Sequence, residues 1–213
     1  MDLSTLVISE NSIQLILTAV CTVVCAYYIM TTGKHAWVML GLASFVYFLG
    51  DLYLQLFVFF YGEEPVYSYI PWVGYYASYL FLLLLIFEIR DSRPLKNSIR
   101  TLWFVPVFTF GMCIFFMNWG DYISNLIAAV LMWLLIWADI DGLVSIHKDT
   151  GENHTNRNIY IIILIFCLLE YAIWTISCFS TEYTILNPYF LLEVFLSVLF
   201  LLFPAALRKA VGS

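Results

Sequence analysis

"AWVMLGLASFVYFLGDLYLQLFVFFY", residues 36–61, holds a single charged side chain, Asp51, in an almost wholly apolar run. As a helix it spans roughly 39 Å, more than the ~30 Å hydrocarbon core of a bilayer. It lacks the strict polar–apolar alternation of a transmembrane barrel strand. Comparable runs recur at 12–32, 69–89, 100–118, 122–143, 158–180 and 188–207. The expected fold is all-α: a polytopic membrane protein built as a bundle of seven transmembrane helices. Composition agrees, because a chain of 213 residues that is 63% hydrophobic and 11% charged has too little polar surface to cover a water-soluble core. The connections are short, so residues 1–213 read as one transmembrane domain with no soluble domain. The first run opens on "MDLSTLVISEN" (1–11), which has neither a basic segment nor a small-residue cleavage pattern, so it is not a removable signal peptide.

Charge sets the expected orientation. All nine basic residues (Lys34, Arg90, Arg93, Lys96, Arg100, Lys148, Arg157, Arg208 and Lys209) fall after the first, third and fifth runs or at the C-terminus. The other connections, "GEEPVYS" (62–68), "NWGDYIS" (118–124) and "STEYTILN" (180–187), carry only acids. The positive-inside rule then places the N-terminus outside and the C-terminus in the cytoplasm. The net charge of −6 reflects an acidic outer surface and acids within the membrane, and no basic patch points to nucleic acid. The "NHT" triplet at Asn153 falls on the cytoplasmic side of this topology, so it is read as a chance match to a glycosylation acceptor. Cys21, Cys25, Cys113, Cys167 and Cys178 form no CxxC pair and read as small apolar residues.

The acids inside the runs carry the functional signal. Asp51 lies ~22 Å and Glu170 ~18 Å from the cytoplasmic end of its run, and Glu193 ~8 Å below the outer surface. Tyr47, Asp51 and Gln55 follow i, i+4, i+8 spacing, as do Tyr189, Glu193 and Ser197, so each series forms a polar stripe on one helix face. Trp174 lies one turn beyond Glu170. An acid at mid-bilayer costs roughly 3 kcal/mol, and it normally faces the bundle interior and finds a partner. No Lys, Arg or His lies at that depth. Three arrangements remain open: protonated carboxyls hydrogen-bonded to Tyr, Ser or backbone; carboxyls that bind protons, Na⁺ or a metal ion; or the anionic end of a pocket for a cationic ligand. Glu88, Asp139 and Asp141 lie near cytoplasmic ends and are expected at the interface.

"YSYIPWVGYYASYL" (67–80) is rich in Tyr, partly as an interfacial aromatic belt. Tyr75 and Tyr79 lie deeper, one turn apart and on a face shared with Trp72, where they are suited to wall a cation–π pocket. No HExxH, Walker A or GxSxG motif occurs, and the last run has no mid-span Lys for retinal. No His lies inside the runs, so a buried His-based metal centre is disfavoured; an enzyme built from carboxylates and Tyr alone is left open, and cofactor and metal stay unassigned.

The stretch "GDLYLQLFVFFYGEEPVYSYIPWVGYYASYLFLLLLIFEI" (50–89) resembles the multi-helix membrane sensory module found N-terminal to bacterial diguanylate cyclase domains. The likeness rests on Gly50, Asp51, Gly62, Pro65, Ser68, Tyr75 and Tyr79. Where that family often has an Asp at the start of the Tyr-rich helix, this chain has Trp72. The N-out topology, the buried acids without basic partners and this resemblance together lead to the expectation of a sensor or receptor module in the bacterial inner membrane that binds a small ligand in an outward-facing cavity. Asp51 would be its anchor, Glu170 and Glu193 its helpers, and Tyr75 and Tyr79 its walls, with Tyr47, Gln55 and Trp174 beside them. A sensor must pass its signal on, and only "LRKAVGS" (207–213) follows the last run. The expected partners are therefore the lipid bilayer, a small molecule or cation, and an output domain, partner subunit or second copy in a homodimer. The alternative is a small secondary transporter whose buried carboxylates couple to H⁺ or another cation.

Overall fold

The computed structural model describes residues 3–62, 69–90, 102–148, 156–179 and 187–212. Arg93, Lys96 and Arg100, on which part of the charge asymmetry rests, and Asn153 of the "NHT" triplet lie outside the described residues. Those described form seven helices and no strands: α1 (Leu3–Thr32), α2 (His35–Tyr61), α3 (Tyr69–Ile89), α4 (Phe104–Phe116), α5 (Tyr122–Lys148), α6 (Arg157–Ser177) and α7 (Pro188–Val211).

Local chemistry sets several boundaries. Gly33 (φ +65) turns the chain between α1 and α2, and Gly62 (φ +76) closes α2 with its N–H on the Val58 carbonyl, a left-handed cap that glycine adopts without strain. Asp121 caps α5, its carboxylate accepting the Ser124 N–H at 2.9 Å. That bond holds the Asp121 carboxyl below its ordinary pKa range. Asn187 caps α7 by accepting the Tyr189 N–H at 3.0 Å, and Pro188 occupies the first helical turn, where no N–H is needed.

Six helices are long and apolar enough to cross a bilayer: Asn11–Thr32 of α1, α2, α3, Tyr122–Ile146 of α5, α6 and α7. The exception is α4. Its 13 residues cover only ~20 Å, against a run expected to reach from 100 to 118. Apolar character continues through Met117 and Trp119, but there the backbone turns, with the Gly120 N–H returning to the Phe116 carbonyl. Hydropathy followed the side chains past the point where the helix stops.

The long helices close into a ring in the order α1–α2–α3–α5–α6–α7, with α7 returning to α1, while α4 packs outside against α5. The exterior is greasier than the interior. Val23, Met30, Phe59 and Phe60 are exposed, whereas Gln14, Thr18, Ser44, Asp51, Asp139, Asp141 and Glu170 are buried. That inversion suits a lipid solvent, which offers no hydrogen bonds. The chain has the build of an integral membrane protein.

Three contacts fix the relative directions of the helices. Arg90, just past α3, pairs with Asp141 near the end of α5. At the opposite end, the Tyr76 hydroxyl donates to the Ser124 carbonyl at 3.1 Å. Thus α3 and α5 run parallel, and the segment containing α4 returns the chain from one end of the bundle to the other. Lys34 Nζ donates to the Val211 and Gly212 carbonyls at 2.6 and 3.1 Å, joining the α1–α2 turn to the end of α7.

Candidate functional site

The site begins at a close crossing of α2 and α3. A Cβ on Gly74 would lie 2.7 Å from the Val46 carbonyl oxygen, and one on Gly50 would lie 3.1 Å from the Tyr75 ring. Only glycines permit this backbone approach. It brings the Tyr75 hydroxyl to Asp51, where it donates to Oδ1 at 3.0 Å. Asp51 is 4% exposed, and its Oδ2 has no hydrogen-bond partner.

One turn earlier on α2, Tyr47 points to a different acid. Its hydroxyl donates to Glu170 Oε1 on α6 at 3.1 Å and accepts from Gln14 Nε2 on α1 at 3.3 Å. Glu170 is 3% exposed. Tyr79 lies against the same carboxyl, but its hydroxyl makes no hydrogen bond of ordinary geometry. Glu193 of α7 accepts from Tyr189 one turn before it, and it lies within electrostatic reach of both Asp51 and Glu170. It is the half-buried member of the three.

Three helices that are distant in sequence therefore bring Asp51, Glu170 and Glu193 together. Their described partners are tyrosine hydroxyls, and none of the three pairs with Lys, Arg or His among the described residues. Aromatic rings enclose the group: Tyr47 lies 4.6 Å from Tyr75 and 5.0 Å from Phe200, and Tyr79 lies 6.0 Å from Phe166. Trp174 borders it, 6.4 Å from Tyr79. Gln55 is engaged elsewhere, donating to Ser12 of α1 at 2.7 Å. The acids are packed into the bundle rather than set around an open cleft. Among the described residues no three His, Cys, Asp or Glu side chains converge as metal ligands. Carboxyl oxygens, tyrosine hydroxyls and aromatic ring faces are thus brought near one another.

The expectation for Asp139 is corrected, while Asp141 reaches the basic segment after α3, as an acid near that end was expected to do. Glu88 is exposed, as an interfacial acid should be, but both aspartates are 0% exposed. Asp141 is reached by Arg90, which folds inward from the end of α3. Both oxygens of Asp139 lack partners. The reason lies in the length of α5: it continues to Lys148 rather than 143, which places Asp139 ~13 Å inside that end. Gly142 deepens the burial by admitting the Tyr160 ring, which would lie 2.7 Å from any Cβ there. Cys167 lies within electrostatic reach of both Asp139 and Glu170. The spacing in "WADID" (137–141) holds the missed signal: residues two apart on a helix lie nearly opposite each other, so one exposed face cannot take both acids.

Compared with known proteins, the chain matches no family model, no curated protein and no solved structure.

Proposed function

We propose that the chain is a receptor-like sensor module of the bacterial inner membrane, with its N-terminus outside and its C-terminus in the cytoplasm, and that its three-carboxyl group binds a small cationic ligand arriving from outside. One observation carries the reading: buried Asp51 and Glu170 and half-buried Glu193, from α2, α6 and α7, lie near one another with tyrosine hydroxyls as partners and no basic partner among the described residues. Such a group repels itself when ionised, so an added cation would draw the three helices together. The movement has an outlet along α7, whose end is clasped by Lys34. An output domain, partner subunit or second copy would read it there. Seven crossings are supported by the parallel course of α3 and α5, which makes the α4 segment a return path. The orientation is supported by the clustering of basic residues at the Lys34–Arg90 end and by the resemblance of residues 50–89 to sensory modules.

Orientation is tested by cysteine labelling in a background free of the five native cysteines. A Cys at Glu64 should react with an impermeant maleimide in intact cells, and a Cys at Lys96 only after permeabilisation. The reverse pattern would overturn the orientation.

A second reading is favoured by Asp139, a further buried acid with no hydrogen-bond partner, with Cys167 lying within electrostatic reach of both it and Glu170. On this reading the protein is a small transporter that passes protons along the series. Proteoliposomes under an imposed pH gradient separate the two. Proton uptake that is lost in Asp139→Asn supports transport, whereas no uptake alongside ligand-induced stabilisation supports the sensor.

A further inference from the structure

A cavity of about 570 Å³ lies between α1 and α7, away from the carboxyl group. Its walls run from Val20 to Tyr28 on α1 and from Leu201 to Lys209 on α7. Both helices turn apolar surface outward here, with Val20 42% and Leu201 41% exposed. The groove exists because α7 presents only Pro204 and Ala205 over its middle turn, so no long side chain fills the space. It extends ~12 Å along the helices, enough for the first part of an acyl chain.

The groove is not uniformly apolar. Arg208 and Lys209 line one end, and no acid is among its lining residues. Lys34 holds the last carbonyls of α7 and adds a third cation at that end. Those contacts keep the basic mouth in register with the apolar walls. A phospholipid has the matching pattern: an acyl chain for the walls and an anionic phosphate for the two cations. A soluble anion would leave the apolar part empty, and a neutral lipid would leave the cations unused.

We propose that the α1–α7 groove is a binding site for one anionic phospholipid, with its headgroup on Arg208 and Lys209 and an acyl chain along Val24 and Ala205. This depends on the chain being embedded in a bilayer and is independent of any ligand at Asp51.

The test uses purified, delipidated protein in detergent, with thermal unfolding as the readout. Dioleoyl-phosphatidylglycerol should raise the unfolding midpoint in a saturating manner, and dioleoyl-phosphatidylcholine should raise it less at equal mole fraction. Arg208→Gln/Lys209→Gln should erase the difference between the two lipids. Ala205→Phe, at an exposed position where folding is tolerant, should shift the phosphatidylglycerol response to higher lipid fraction. Arg157→Gln, an exposed cation outside the groove, should leave the preference intact. The proposal is overturned if the preference survives the double substitution, if Arg157→Gln abolishes it equally, or if inorganic phosphate alone reproduces the shift.

Discussion

The bundle buries acid in two places and treats the charge differently in each. At one end, Asp141 is met by Arg90, a cation from the chain itself. In the other region, Asp51, Glu170 and Glu193 are met by tyrosine hydroxyls, which donate hydrogen bonds but bring no compensating charge. The Arg90–Asp141 pair balances its charge within the protein, although Asp139 nearby on α5 has no partner for either oxygen. The second region has an open requirement, either protons or a cation from outside. That contrast, rather than burial alone, separates a structural acid pair from a candidate binding site.

The comparison breaks most visibly at Arg90. Arg90→Met strands a fully buried Asp141 and should destabilise the protein by about 3–5 kcal/mol in denaturant titration. Adding Asp141→Leu should recover most of that loss. A cost near zero for the single substitution would show that Arg90 does not neutralise Asp141.

The next effect concerns the glycine crossing that builds the other region. Gly74→Leu forces a side chain onto the Val46 carbonyl, and about 1–3 kcal/mol of overpacking cost is expected. Cation-induced stabilisation should fall with it, because Tyr75 is displaced from Asp51. A fully stable variant would mean that α2 and α3 do not meet this closely.

Tyr75→Phe sharpens the contrast without changing volume. It leaves Asp51 with both oxygens unpaired and should cost about 1–3 kcal/mol when the acid stays buried. The same substitution at Tyr76, whose hydroxyl bonds only a backbone carbonyl, should leave the cation response intact.

The smallest effect is expected outside the membrane. Asp121 lies at the bundle surface and its pKa is lowered by the α5 cap, so its stabilising contribution is present above the unfolded-state pKa and disappears as pH falls through the depressed folded value. Asp121→Ala should therefore lower the unfolding midpoint slightly at neutral pH and match the wild type in strong acid. An equal difference at both pH values would rule out a charge-dependent cap.

Much of this architecture was readable in the chain. The end of α2 before Gly62 and the start of α7 at "NP" (187–188) follow from backbone chemistry that any helix obeys. The placement of Tyr47 and Asp51 on one face follows from the helical repeat. Which acid each tyrosine serves was not readable: Tyr47 shares a stripe with Asp51 yet bonds Glu170 of α6, while Asp51 is met by Tyr75 across the close α2–α3 approach at Gly50 and Gly74. Gln55 belongs to the same stripe but is claimed by Ser12. Asp139 was expected at the interface because the extent of α5 was judged from hydropathy, which fades before the helix does.

The most direct test is ligand-induced thermal stabilisation of wild type and Asp51→Asn, using sodium, ammonium and choline, with 3,3-dimethylbutanol as the uncharged counterpart of choline. Asn is nearly isosteric, so both proteins should show the same midpoint without additive. At least one cation should raise the wild-type midpoint, the neutral alcohol should not, and Asp51→Asn should lose the response. An unchanged response in Asp51→Asn, or a wild type indifferent to every cation, would contradict a cation-binding carboxyl group.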